Sequence, residues 1–202
     1  MIKSRFIERI RQVGRGRWGF NKKNIMSKHF ADRFTQAVSE KGTPICVGLD
    51  PRLDQIPAFI REKFPNPADA ILEFNKGIID AIADLVPVVK PQVAFYEILG
   101  PEGMRAFAET LKYSREKGLI TIADVKRNDI GSTAQAYAEA YLVPGAPFEC
   151  DSITMNAYLG WDGVKPFSDK AREHGKGFFA LVKTSNPSSS DLQDTEMSDG
   201  RT

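Results

Sequence analysis

The chain has 202 residues, of which 42% are hydrophobic and 27% are charged, and its net charge is +2. These values are typical of one soluble globular domain and exclude a disordered chain, a collagen and a disulfide-stabilised miniprotein. No run approaches the roughly 18 apolar residues of a membrane span, and two cysteines without a C-x-x-C pair favour a reduced compartment. We therefore expect a cytoplasmic protein with no membrane partner.

The first 25 residues differ in charge from the rest of the chain. They hold eight lysines and arginines against one glutamate, a net charge of +7, so residues 26–202 carry −5. A nucleic-acid arm, a membrane-surface arm and an organellar transit segment are all compatible with such a basic leader. We favour a disordered N-terminal extension over 1–27, followed by the folded domain over 28–202. The acidic body argues against a nucleic-acid partner, because backbone binding needs clustered lysine and arginine.

Hydrophobic periodicity predicts alternating helices and strands after the leader. The predicted helices cover residues 28–40, 68–85, 101–117, 131–142 and 160–173. The predicted strands cover residues 45–49, 88–95, 119–126, 150–157 and 177–185. The strands are apolar runs, as expected of parallel βαβ units that are covered on both faces. Cys46, in the first strand, is expected to be a small core residue.

Two architectures fit this alternation: a doubly wound open sheet and a (β/α)₈ barrel. The first predicted strand ends in Gly48, Leu49 and Asp50, without the G-x-G-x-x-G fingerprint of a dinucleotide-binding sheet. Polar residues at the ends of the predicted strands favour the barrel, whose chemistry lies at the carboxyl ends of its strands. A barrel usually needs about 250 residues. We therefore expect an α/β TIM barrel of which only about five of the eight βα units are present.

The segment from Asp124 to Asp129 is the most informative part of the sequence. Asp124 and Lys126 are two residues apart on a predicted strand, so both side chains are expected on one face. Inside a barrel, alternating aspartates and lysines would offset their own desolvation and keep the lysine protonated as a proton donor. The alternative interpretation is a surface turn that is stabilised by salt bridges and has no catalytic role. The positions of Asp50 and Lys90 at matching strand ends favour a catalytic charge array over that alternative.

Five ordered segments together resemble the orotidine 5′-phosphate decarboxylase family, in its longer bacterial-type subfamily. They cover residues 43–54, 89–92, 124–129, 156–160 and 184–187. The D-x-K-x-x-D motif alone is shared with related sugar-phosphate lyases, so the combination carries the resemblance. The resemblance implies conversion of orotidine 5′-phosphate to uridine 5′-phosphate and CO₂ in pyrimidine biosynthesis, with no cofactor and no metal.

The resemblance also implies roles for four residues of the charge array. Lys126 matches the lysine that protonates C6 as CO₂ leaves, and Asp124 matches the aspartate beside the departing carboxylate. Asp50 and Lys90 match residues that hold the ribose hydroxyls and extend the array. With these four residues, fixed charges would stabilise the carbanion that develops in the transition state.

Three further residues are matched to substrate or partner contacts. Asp129 and Thr133 match residues that cross a homodimer interface into the partner's site. Ser185 matches the serine that hydrogen-bonds the pyrimidine. A homodimer that binds orotidine 5′-phosphate is therefore the expected assembly.

The sequence departs from the family pattern after the fifth predicted strand. The family's phosphate-binding glutamine and arginine follow strands seven and eight, where barrels usually bind phosphate, and they have no counterpart here. We therefore expect an incomplete barrel that binds nucleotide poorly and exposes its sheet edges. Three functional classes stay open: the decarboxylase, a Mg²⁺-dependent sugar-phosphate lyase or synthase of the same superfamily, and a non-catalytic fragment that associates with partners.

Overall fold

The computed structural model of the protein describes residues 29–196 and 198. The predicted basic extension over 1–27 lies outside these residues. Two compact units are distinguished: one contains Ser27–Ala180 and the other includes Leu181–Thr202. The first of these units contains most of the sheet and its helices.

Helices and strands alternate along the first unit, as the sequence predicts. The strands are β1 (Cys46–Leu49), β2 (Val88–Pro91), β3 (Ile120–Arg127), β4 (Ser152–Asn156) and β5 (Gly177–Leu181), of which β5 ends at the first residue of the second unit. The helices are α1 (Phe30–Lys41), α2 (Ala58–Lys63), α3 (Pro67–Ile82), α4 (Ala94–Glu97), α5 (Gly100–Glu116), α6 (Gly131–Leu142) and α7 (Trp161–His174). A 3₁₀ turn covers Leu53–Gln55. The second unit adds a 3₁₀ turn at Pro187–Ser189 and a short helix α8 at Ser190–Gln193.

The strands follow one another in the sheet in the order β1-β2-β3-β4-β5. The pairs β1–β2, β2–β3 and β3–β4 are parallel, with Gly48 opposite Lys90 and Ile122 opposite Ser152. A doubly wound sheet reverses its strand order at a switch point, whereas this order runs in one direction. The described strands are therefore part of a (β/α)₈ barrel, and the prediction of about five βα units is confirmed.

Three details of the sequence prediction are corrected. The second strand ends at Pro91 and not at residue 95, because the Gln92 side-chain oxygen accepts a hydrogen bond from the Ala94 amide, just before α4. Helix α2 was not predicted. Cys46 is exposed and not a core residue, because β1 lies at the edge of the described sheet.

The sheet packs differently on its two faces. On one face, Leu49 and Val89 pack against Ile79 of α3, together with Val86 and Leu119. On the other face, a second cluster joins strands β2 and β3 to helix α1. That cluster consists of Phe30, Val88, Ile120 and Ile122.

The second face changes from apolar to charged along the strands. Residues two apart on a strand share a face, so Val88 is followed by Lys90, and Ile122 is followed by Asp124. Both charged residues lie toward the carboxyl ends of their strands. The fold therefore puts an apolar cluster under one end of this face and a charged cluster at the other.

Candidate active site

The carboxylate of Asp124, on β3, is the centre of the charged cluster. Its Oδ1 accepts hydrogen bonds from Lys126 Nζ at 2.7 Å and from Thr154 Oγ1 at 2.8 Å. Its Oδ2 accepts from Lys90 Nζ at 3.0 Å and from Gln92 Nε2 at 2.9 Å. A carboxylate has about four lone-pair positions, so these four donors saturate it and fix its orientation.

Asp124 carries its charge in a buried position. Its side chain is only 8% exposed, and this burial raises the pKa of the carboxyl. Hydrogen bonds from Lys126, Lys90 and Thr154 more than offset the burial, so the pKa of Asp124 is lowered overall. Asp124 is therefore ionised at neutral pH.

The two lysines are more accessible than the aspartate between them. The side chain of Lys90 is 33% exposed and that of Lys126 is 47% exposed. An ammonium group has three N–H donors, and the pair to Asp124 uses one of them on each lysine. Each lysine can therefore bind Asp124 and a ligand at once.

An irregularity in β3 brings Lys126 back toward Asp124. The pairing of β3 with β4 shifts register between Ala123 and Arg127. Lys126 has a φ of 45°, in the left-handed region that a residue with a side chain adopts at a cost. The sequence correctly predicted contact between Asp124 and Lys126, but the contact occurs at a β-bulge and not on a regular strand.

Gln92 and Thr154 belong to the site, although the sequence reasoning gave neither a role. Gln92 follows Lys90 by two residues and forms an isolated parallel β-bridge with Asp124. The two-residue period of a strand could therefore have placed Gln92 on the same face as Lys90. Thr154 lies on β4 between Ile153 and Met155, and β4 also contains Ser152 and Asn156, so its hydroxyl does not stand out in the sequence.

Asp50 lies near the charged cluster but outside its ion pairs. It follows β1, in which Gly48 is opposite Lys90. Its Oδ1 lies 3.6 Å from the position that a Cβ on Gly48 would occupy. Among the described residues, no ion pair joins Asp50 to either lysine of the site. Its predicted role as a ribose contact stays a prediction.

Neither Asp129 nor Thr133 is hydrogen-bonded to Asp124 in the part of the chain that the structure describes. Asp129 Oδ1 accepts from the Ile130 amide at 2.8 Å. Thr133 is exposed on the first turn of α6. Ser185 is exposed in the second unit, where Thr184 and Gln193 hydrogen-bond to each other. Their predicted contacts with a partner or a pyrimidine stay predictions.

Arg127 is directed away from the Asp124 cluster. Its guanidinium donates to Glu97 at 2.7 Å and lies over the ring of Tyr137, 5.5 Å from the ring centroid. It therefore links α4 to α6 beside the loop that carries Asp129.

Within the residues that the structure describes, no group of three or more histidine, cysteine, aspartate or glutamate side chains could hold a metal ion. Within the same residues, no helix is both long enough and apolar enough to cross a membrane.

Fold and site together define a barrel with a charged cluster toward the carboxyl ends of its strands, where the active sites of barrel enzymes lie. A family model described as "Orotidine 5′-phosphate decarboxylase / HUMPS family" matches residues 43–202. The chain belongs to this family.

Individual relatives agree with the family match. An orotidine 5′-phosphate decarboxylase from Rhodopirellula baltica is 46% identical over 182 residues, which are 86% of this chain and 60% of the relative. One from Clostridium kluyveri is 44% identical over 162 residues, 80% of this chain and 55% of the relative. The chain thus spans a little over half the length of these relatives.

Solved structures show the same fold. A proposed orotidine 5′-phosphate decarboxylase from Streptomyces avermitilis superposes with a TM-score of 0.77 at 34% identity, over 91% of this chain and 63% of that one. The OMP decarboxylase of Leishmania donovani gives a TM-score of 0.69 at 30% identity, over 86% of this chain and 61% of that one. The similarity therefore extends over nearly all of the described residues.

Proposed function

We propose that the protein decarboxylates orotidine 5′-phosphate to uridine 5′-phosphate and CO₂ in pyrimidine biosynthesis. The observation that carries the proposal is the buried Asp124 carboxylate held between the ammonium groups of Lys90 and Lys126, at 3.0 and 2.7 Å. The family match and the relatives named above support it.

Lys126 is the proposed proton donor. The bond between C6 and the substrate carboxylate breaks, CO₂ leaves, and the electron pair stays on C6. A proton from Lys126 Nζ forms the new C6–H bond, and the neutral amine regains a proton from water. Because Lys126 is half-exposed and uses one N–H on Asp124, it has donors left for the pyrimidine.

Asp124 is the proposed source of strain on the substrate carboxylate. Two like charges in a space with little water repel each other strongly, and loss of CO₂ relieves that repulsion. The four hydrogen bonds to Asp124 keep its charge in place, so no reorganisation is needed when charge develops on C6. Asp50 and Lys90 are proposed to bind the ribose hydroxyls, and Ser185 the pyrimidine.

The charge cluster favours a metal-free reaction over the Mg²⁺-dependent lyase considered from the sequence. All lone-pair positions of Asp124 accept hydrogen bonds, two of them from ammonium groups. A divalent cation at Asp124 would have to displace these donors and lie beside two positive charges. The aspartate therefore suits a role as a fixed anion better than one as a metal ligand.

The proposed assembly is a homodimer in the cytoplasm. Thr133 is exposed on α6 and Asp129 is half-exposed in the loop before it, and this exposure supports a role for both in contacts with a second subunit. The prediction that they complete the partner's site rests on the resemblance to the family.

A decarboxylation assay with matched lysine variants tests this function. The 202-residue chain and a chimaera, in which the C-terminal part of the Rhodopirellula baltica relative follows residue 202, are both incubated with orotidine 5′-phosphate. We expect the chimaera to release CO₂ and uridine 5′-phosphate, and the 202-residue chain to bind the nucleotide more weakly.

The Lys126→Ala variant of the chimaera should lose activity by about 10²–10⁴-fold, the usual contribution of a positioned general acid. Lys165→Ala is the control, because Lys165 also pairs with an aspartate but lies on the surface of α7. A folded chimaera that releases no CO₂, or a Lys126→Ala variant as active as Lys165→Ala, would overturn the proposal.

A further inference from the structure

The hydroxyl of Thr154 is the point at which three hydrogen bonds of the charged cluster meet. Its Oγ1 accepts from the backbone amides of Val125 and Lys126, each at 3.0 Å. The same hydroxyl donates to Asp124 Oδ1 at 2.8 Å. A hydroxyl has one donor and two lone pairs, so the full capacity of Thr154 is used on three consecutive residues of β3.

These residues lie where β3 leaves its regular pairing with β4. The paired positions advance from Ala123 to Arg127 on β3 but only from Ile153 to Met155 on β4. A bulge of this kind leaves backbone groups without a ladder partner. Thr154 supplies the acceptor for two such amides from the side chain of the opposing strand.

The backbone at Lys126 shows why this support matters. With a φ of 45°, Lys126 adopts a conformation that persists only where its surroundings determine it. The bond from the Lys126 amide to Thr154 is one such determinant, and the bond from Lys126 Nζ to Asp124 is another.

We propose that Thr154 is a positioning residue of the active site, whose hydroxyl holds the left-handed turn at Lys126 and orients the Asp124 carboxylate toward it. Its contribution to decarboxylation rests on the proposed function. The positioning itself does not, because it is a property of the folded chain.

Thr121 provides a matched control within the same sheet. Its hydroxyl is also buried on a strand and also donates to an aspartate, Asp151, at 3.0 Å. Asp151 belongs to a different cluster, with Arg33 and without either lysine of the site. Thr121→Val therefore removes a comparable hydrogen bond without touching the Asp124 cluster.

Amide hydrogen exchange and a carboxyl titration, both followed by NMR on the 202-residue chain, test the positioning without any need for catalysis. In Thr154→Val we expect the amides of Val125 and Lys126 to exchange about tenfold faster, since each loses its acceptor. The pKa of Asp124 should rise, because one of the hydrogen bonds that lower it is gone. Thr154→Ser should restore both properties, and Thr121→Val should change neither.

The proposal is overturned if Thr154→Val leaves both amides protected and the Asp124 titration unchanged, or if Thr154→Ser behaves like Thr154→Val. Should Thr154→Val not fold, Thr154→Ala takes its place against Thr154→Ser with the same readouts. In an active form of the protein, Thr154→Val should lower kcat by up to about 10²-fold, with KM little changed. Unchanged kinetics with altered exchange would overturn the role of Thr154 in the active site while leaving its effect on the turn in place, whereas a parent protein without activity would count against the proposed function.

Discussion

Two buried aspartates, Asp124 and Asp151, lie at opposite ends of the strands and pair with different cations. The side chain of each is 8% exposed, and each accepts a hydrogen bond from a threonine hydroxyl. Asp151 precedes β4 and binds Arg33 of α1 at 2.7 Å. Asp124 lies in the carboxyl-terminal half of β3 and binds two lysines. The same residue type at the same burial thus appears in two settings.

The difference lies in what the partners can still do. The Arg33 guanidinium also donates to the Gly175 carbonyl, and Oδ2 of Asp151 accepts from the amide and hydroxyl of Thr121. These bonds join α1, β3 and the end of α7, and they make the cluster a structural link. The lysines at Asp124 stay partly exposed with unused donors, so that cluster can accept a ligand. Burial of an aspartate beside a partly exposed cation is common to both clusters. The Asp124 cluster differs in its second cation, Lys126, which is 47% exposed, and in its position toward the carboxyl ends of the strands.

A large effect on stability is expected at the structural aspartate. Asp151→Asn should lower the free energy of unfolding by about 2 kcal/mol, less than the 3–5 typical of a broken buried pair because Arg33 is about one-third exposed. Urea unfolding measures the change. A loss no greater than that of an exposed pair, such as Lys165→Ala, would show that α1 is held by its apolar contacts alone.

The apolar contact of α1 is tested at Gly177, where β5 begins. A Cβ at this position would overlap the Phe30 ring, with Cε1 at 2.8 Å. Gly177→Ala should therefore destabilise the chain by about 1–3 kcal/mol, the usual cost of overpacking. Gly77→Ala on α3 is the control, because a Cβ there meets nothing within 4 Å and should stabilise the helix by about 0.5–1 kcal/mol. Equal thermal shifts in the two variants would contradict the packing of Phe30 on β5.

A smaller effect is expected in the acid dependence of stability. The pKa of Asp124 is lowered in the folded chain, so its carboxylate stabilises the fold at pH values above its unfolded pKa of about 3.9. That contribution is lost as the pH falls through the lower folded pKa. The difference in unfolding free energy between the protein and Asp124→Asn should be constant near neutral pH and shrink below about pH 4. A difference that grows on acidification would show that the pKa is raised instead.

Much of the fold and part of the site were predictable from the sequence. Apolar runs of strand length, separated by amphipathic segments, predict the parallel βα order because both faces of such a sheet are covered. The two-residue period of strands predicts that Asp124 and Lys126 share a face. The two side chains are in contact at 2.7 Å, although at a register shift and not on a regular strand.

The remainder depends on tertiary pairing that no local pattern encodes. The left-handed φ of Lys126 arises from a register shift between β3 and β4. A lysine at this position of the sequence does not indicate a left-handed conformation. Thr154 matters through a hydroxyl that reaches across to another strand. Cys46 was predicted wrongly because its exposure follows from the position of β1 at the edge of the described sheet.

Asp124 is proposed to act in catalysis, whereas Asp151 stabilises the fold. The direct measurement is the initial rate of CO₂ release from orotidine 5′-phosphate. It is made on the Asp124→Asn and Asp151→Asn variants of the chimaera described above. We predict that Asp124→Asn loses at least about 10²-fold in kcat, as expected for removal of a preorganised charge. Folded Asp151→Asn should stay within a few-fold of the parent. Equal losses in the two variants, or a fully active Asp124→Asn, would contradict this account.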